Sequence, residues 1–104
     1  MIEITFLIPV VRDGNKQPHC PTLWDAFATD LLMTFGGVTR LAECEGCWRD
    51  GDGQAIKDVS RRYKIAVEAQ REQEVYALLR RWRPQFDQQC IYAAVTSENA
   101  YLIS

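Results

Sequence analysis

Two long alternating stretches that meet at Asp50-Gly51-Asp52-Gly53 constrain this chain more than any other feature. Over residues 39–49, Ala42, Cys44, Gly46 and Trp48 fall on one face, and Leu41, Glu43, Glu45, Cys47 and Arg49 on the other. Successive side chains of a strand point to opposite faces, so this is a half-buried strand with a polar outer side. Asp-Gly supplies the positive φ angles that tight hairpin turns require. The return stretch, residues 56–68, puts Val59, Tyr63, Ile65 and Val67 on one face and Ser60, Arg62, Lys64 and Glu68 on the other. A long antiparallel hairpin therefore occupies the middle of the chain, and the flanking segments build around it.

Upstream, residues 2–11 (IEITFLIPVV) are rich in β-branched and aromatic side chains and read as a strand. The strand is apolar on both sides near Phe6 and Ile8, which places it in the interior of its sheet. Pro9 cannot donate to a ladder, so regular pairing on one side ends there. Residues 12–21 carry Gly14, Asn15, Pro18 and Pro21 and form a loop. Thr22 and Asp25 resemble a capping box that opens a helix. Trp24, Phe27, Leu31 and Phe35 recur on one face of that helix, and Gly36-Gly37 stops it.

Downstream, residues 69–83 form a second helix with Val75, Leu78, Leu79 and Trp82 as its apolar stripe. Glu72 and Glu74 sit near its start and Arg80, Arg81 and Arg83 near its end, the signs that the helix dipole favours. Pro84 closes it. Residues 90–96 make a further strand, and 101–103 a candidate extra edge strand at the C-terminal end. The element order β-α-β-β-α-β is the split βαβ pattern of an α+β, ferredoxin-like two-layer sandwich. It implies an antiparallel sheet in the order 4-1-3-2 with both helices on one face. The other face is solvated, covered by a partner or used for binding. At 104 residues the chain is read as one domain, 1–104.

The formal net charge is only −2, so nothing global draws the chain to nucleic acid, although Arg61-Arg62 and Arg80, Arg81 and Arg83 cluster. No apolar run approaches the roughly 18 residues that span a bilayer. The opening residues lack the basic n-region and the small-residue cleavage site of a signal peptide. The expectation is a soluble cytoplasmic protein with no membrane contact, and its four cysteines are expected as free thiols.

Cys44-Glu45-Gly46-Cys47 has the C-x-x-C spacing of metal and redox sites, but it lies within a strand, where residues three apart face opposite ways. Only a bulge at Gly46 would bring the sulfurs together. No second pair exists, and only His19, Cys20 and Cys90 could complete a zinc site. A redox pair, moreover, normally opens a helix. No metal or cofactor is expected. His19, the single histidine, is expected at the surface beside Cys20. Adjacent residues seldom face each other as a nucleophilic pair requires.

No catalytic motif emerges. Glu43, Glu45, Arg62 and Lys64 are placed on the outer faces of the hairpin, where opposite charges pair for about 0.2–1 kcal/mol. They could instead line a polar cleft on the open sheet face. Trp48 follows three small residues on its own face, which leaves room for a pocket floored by Gly46 and walled by Trp48 and Tyr63. The site expectation is therefore Trp48, Tyr63, Glu43, Glu45 and Arg62, in a ligand-binding or protein-interaction module that forms a homodimer through its sheet. The alternative is a cofactor-free enzyme in the sheet-face cleft, with Glu43 or Glu45 as base and Arg62 as anion anchor.

Phe35-Gly36 followed by Thr39, then Gly46-x-Trp48, Gly53 and Gln88-Gln89-Cys90-Ile91, carry a likeness over roughly residues 35–95. The chain here resembles a set of short bacterial proteins of unknown function with an FG-x-x-T…G-x-W…G signature. That resemblance implies a small α+β domain and carries no activity; it does not call for a cysteine at 47. Ferredoxin-like chains of this length often pair sheet to sheet, as in dimeric α+β barrels, a likeness of fold alone.

Overall fold

Ile2, Ile4, Phe6 and Ile8 alternate along the first strand, and all four are buried on one side of it. In the computed structural model, which describes residues 1–103, this strand is β1 (Ile2–Pro9). It pairs antiparallel with β3 (Ala55–Val67), from Ile2 opposite Val67 to Pro9 opposite Ser60. On its other side it pairs with β4 (Tyr92–Ser97), ending at Leu7 opposite Tyr92. The remaining strand, β2 (Thr39–Arg49), pairs only with β3. The sheet order β2-β3-β1-β4 is the expected 4-1-3-2 seen from the other edge.

Helix α1 (Pro21–Phe35) and helix α2 (Glu72–Trp82), the latter led in by a 3-10 turn at Ala69–Arg71, cover the face that buries the β1 alternation. The capping box expected at Thr22 and Asp25 does not form. Pro21, whose fixed φ suits a first helical position, starts the helix two residues earlier, with Cys20 at the cap, and puts Thr22 inside the first turn. At the other end Gly36 takes the left-handed conformation (φ 83°), and its N–H donates to Leu32 O at 2.8 Å. Among the described residues no helix is long and apolar enough to cross a membrane.

The hairpin departs from simple alternation at two places. Its turn is a five-residue connection, 50–54, in which the left-handed residue is Gly53 (φ 80°). Asp50 Oδ1 accepts the N–H groups of Asp52 and Gln54, both at 2.9 Å. Farther along, Leu41 stands opposite Arg62 while Cys44 stands opposite Ser60, so a bulge at Ala42-Glu43 inserts one extra residue. Leu41 is thereby moved to the face of Cys44, Gly46 and Trp48. The extra edge strand expected at 101–103 is absent: these residues lie outside the four-stranded sheet and are exposed. Ala100 N–H donates to Met1 O at 2.9 Å, which carries the chain across the end of β1 and away from the free edge of β4.

Within a largely aliphatic core, a cluster of aromatic contacts joins the sheet to the helices. Phe6 stacks on Tyr63 (5.5 Å between centroids), and Phe27 meets Phe6, Tyr63, Trp82 and Phe86 edge-on at 5.1–6.0 Å. Trp82 Nε1 donates to Asp30 Oδ2 at 2.7 Å and ties the two helices together. Phe86 comes from the segment after Pro84, where no periodicity marks it as core, yet it is fully buried. Truncating a buried Phe typically destabilises by about 3–5 kcal/mol. Phe86→Ala should therefore lower the urea midpoint by a corresponding amount; a loss below about 1 kcal/mol would mean that the 83–91 segment does not wedge the core shut.

Candidate functional site

Strand β1 leaves the sheet after Pro9, whereas β2 and β3 continue to their turn, so the end of the hairpin overhangs the end of β1. On the face away from the helices this step is a cleft of about 590 Å³, within the range of roughly 300–1,000 Å³ typical of small-molecule sites. The hairpin lines it with Trp48, Ile56, Asp58 and Ser60, β1 with Leu7 and Pro9, and β4 with Tyr92. Asp13, Lys16 and residues 88–91 close it from the loops. Trp48 (48% exposed) and Tyr92 (61% exposed) stand on the two outer strands. Three strand spacings, about 14 Å, separate those strands, and Trp48 is level with Ile56 whereas Tyr92 is level with Arg62 farther along β3.

Gly46 explains how Trp48 lies. The two residues share a face, and a Cβ at Gly46 would meet the indole ring at 3.1 Å. The ring therefore leans back over Gly46 along the strand, and the G-x-W pair records that close approach.

The loop walls are held by a compact set of hydrogen bonds. Asp87 Oδ2 accepts Gly14 N–H at 2.9 Å, and Asp13 Oδ2 accepts Gln89 N–H at 2.8 Å. Gln88 is buried and donates from Nε2 to Val11 O and Phe86 O, both at 2.8 Å. Arg83 donates to Gln88 O at 2.7 Å. Lys16 (φ 57°) and Asp87 (φ 50°) both adopt the left-handed region without being glycine. Residues held there cost energy and persist where neighbouring bonds fix them, as they do at this rim.

His19 is buried, contrary to the surface position expected for it. Its Nε2 lies 2.9 Å from Pro9 O. A carbonyl only accepts, so Nε2 carries a proton and donates it to Pro9 O. Trp24 and Phe86 meet the ring edge-on at 5.3 and 5.0 Å, and Nδ1 is buried without a hydrogen-bond partner. The residue thus packs the base of the loop region against the core. Cys20 stands apart from it, exposed, with its thiol 3.1 Å from the Thr22 hydroxyl.

The structure brings together only part of the expected site. Trp48 lines the cleft, but Tyr63 is buried on the helix side of the sheet against Phe6. The pocket expected between Trp48 and Tyr63 does not form, because the hairpin register places them on opposite faces; Tyr92 is the second aromatic of the cleft. Glu43 sits in the bulge and is exposed. Glu45 is on the helix side, in an exposed ion pair with Lys57 at 3.6 Å. Neither glutamate lines the cleft, whose carboxylates are Asp13 and Asp58. Arg62 lies on the open face next to it. Cys44 and Cys47 point to opposite faces, since the bulge falls at Ala42-Glu43 and not at Gly46. The alternation that marks Arg62 also marks Asp58 and Ser60, whereas Asp13, Gln88 and Tyr92 reach the cleft only through the topology.

No family model and no curated protein matches the sequence. Among solved structures the chain is similar to a phage SAM lyase in its apo state, with a TM-score of 0.61 and 12% identity, covering 96% of this chain and 92% of that one. It is also similar to a phage SAM lyase in complex with S-methyl-5′-thioadenosine, with a TM-score of 0.58 and 14% identity, covering 95% and 92%. At such identity the likeness is one of fold.

The His19 environment has a pH consequence. Burial holds its pKa below the ordinary value; the Pro9 hydrogen bond and the Asp87 charge oppose this, and the charges of Arg12 and Arg61 reinforce it. The unfolded chain therefore takes up a proton that the fold resists, so the stability tied to neutral His19 is complete above about pH 6.5 and is lost as pH falls. Melting curves between pH 7.5 and 5 should show a decline that is clearly shallower in His19→Gln. Parallel declines in the two proteins would show that His19 does not carry the effect.

Proposed function

We propose that this chain is a small-molecule-binding domain whose ligand, a nucleoside-sized compound of the thioadenosine class, lies in the open-face cleft between Trp48 and Tyr92. The carrying observation is the pairing of that volume with two exposed aromatic walls on a face that no helix covers. An aromatic side chain supplies a flat apolar surface for a heterocycle. Asp58 and Asp13 supply acceptors for hydroxyl or amine groups, and Ser60 a hydroxyl at the floor. The phage lyase that shares the fold holds S-methyl-5′-thioadenosine, which makes that compound the first probe.

Two copies pairing through the open face, with the ligand enclosed between them, is the assembly we propose for this module. Trp48, Ile56 and Tyr92 are the exposed apolar groups that such pairing would cover. Light scattering that returns a monomer at high concentration, with and without ligand, would rule it out. The enzymatic alternative uses the same cleft without a cofactor, and its base is Asp58 or Asp13 in place of the expected Glu43 and Glu45, because only those two carboxylates line the cavity. Conversion of SAM by the wild type, lost in Asp58→Asn or Asp13→Asn, would favour it over simple binding.

The binding proposal is tested by titrating S-methyl-5′-thioadenosine against intrinsic fluorescence, with Trp48→Ala as the comparison. Stacking a base on an aromatic side chain is worth about 1–3 kcal/mol, so the substitution should weaken binding by about 5- to 150-fold. Because Trp48 is half-exposed, thermal stability should change little. Gly46→Ala, which pushes the indole from its seat, should weaken binding several-fold in the same assay. An affinity unchanged by Trp48→Ala, or no saturable signal with the wild type, would refute the proposal.

A further inference from the structure

Arg62 carries the only arginine nitrogen among the described residues that is buried without a hydrogen-bond partner, its Nε. The other arginines near the core are all engaged. Arg83 donates to Gln88 O, Arg61 lies over the Trp24 ring at 4.1 Å, Arg71 pairs with Glu74 and Arg12 with Asp87. No ion pair among the described residues includes Arg62.

The register explains why. On the open face Arg62 stands opposite Leu7 on one side and Leu41 on the other, with Ser60 and Lys64 two residues away along β3. None of these neighbours is acidic, and Lys64 already engages the Glu3 carboxylate at 3.5 Å. A guanidinium is always charged, and a buried donor left unpaired is expensive. Arg62 as a whole is half-buried: its Nε is enclosed and unpaired, and the rest of the charged group is open to a partner from the open face.

Arg62 does not itself line the cleft, but Leu7 and Ser60, two of the residues that flank it, both do, so it stands at the cleft's edge. We propose that Arg62 is the oxoanion-binding residue of this cleft and receives a carboxylate or phosphate on the ligand. The inference rests on the cleft being a ligand site and narrows the class of ligand to a thioadenosine compound that also carries a carboxylate or phosphate toward Arg62, a group that S-methyl-5′-thioadenosine itself lacks. The planar fork of N–H groups matches the two oxygens of a carboxylate or phosphate, which a lysine at this position would not do as well.

The test follows the ¹H–¹⁵N signal of the Arg62 Nε–H group, assigned by its loss in Arg62→Lys. Inorganic phosphate and, separately, acetate are titrated in at constant ionic strength set with chloride. The expected result is a saturable shift of this signal alone, with the Arg61 and Arg83 signals unmoved, and the more effective anion identifies phosphate or carboxylate as the source. In Arg62→Gln the apparent anion affinity should fall by about 10-fold or more, as for loss of hydrogen bonds to a charged group. The anion-induced rise in melting temperature should disappear with it. A flat response to both anions overturns the inference. So does an Nε–H shift that depends on protein concentration without added anion, which would assign the counter-charge to a second copy. A Trp48 response to S-methyl-5′-thioadenosine beside a flat Arg62 signal leaves the cleft in place and removes only the anion site; the opposite pair of results does the reverse.

Discussion

Pro9 has no backbone N–H to contribute, and beyond it only Val10 N–H still reaches β3, at Val59 O (3.0 Å), while β2 and β3 run on to their turn. The pairing of β1 with β4 is already over at Leu7. The space beyond is walled by loops, and the Pro9 carbonyl, free of ladder duty, accepts the His19 Nε2 proton. The ring so fixed packs edge-on against the Trp24–Phe86 pair and joins the loop region to the aromatic core. The cleft is thus a consequence of where one strand stops.

The overhanging end of the hairpin is the less secure part of this arrangement. A two-stranded ribbon on its own is marginal in water. Here Trp48 stands directly opposite Ile56, a cross-strand aromatic–aliphatic pair on the cleft face. Both remain partly exposed, at 48% and 37%. The same side chains that stiffen the ribbon therefore present apolar surface to the cleft. Binding there would cover surface that the fold itself leaves uncovered, and this links the local energetics of the hairpin to its proposed use.

The order of elements was legible because each rests on a repeated local signal: the Ile2-to-Ile8 alternation, the Trp24-Phe27-Leu31 stripe, and the Asp-Gly turn between two alternating runs. The site was only partly legible, and the reason is parity. A two-residue turn at Gly51-Asp52 would have set Trp48 on the same face as Tyr63. The five-residue connection sets Trp48 opposite Ile56 and so reverses the face. The bulge at Ala42-Glu43 then restores the earlier parity nearer the core, bringing Arg40 opposite Tyr63. Neither Ala42 nor Glu43 is a residue type that announces a bulge. Phe86, Gln88 and Asp13 were hidden for a different reason: they act from irregular segments, whose contacts depend on tertiary structure rather than on sequence period.

The central claim is the location of the binding surface, and a second groove makes it easy to contradict. Thr22, Leu23, Ala26, Asp30, Arg81, Trp82 and Gln85 line a hollow of about 550 Å³ on the helix side of the molecule. Backbone amide shifts of the uniformly labelled protein, followed during titration with S-methyl-5′-thioadenosine, separate the two sites in one experiment. The account predicts that the largest changes fall on residues 46–60 and 88–92, with the helices quiet. Changes centred on residues 22–30 and 81–85, or none at saturating ligand, would contradict it.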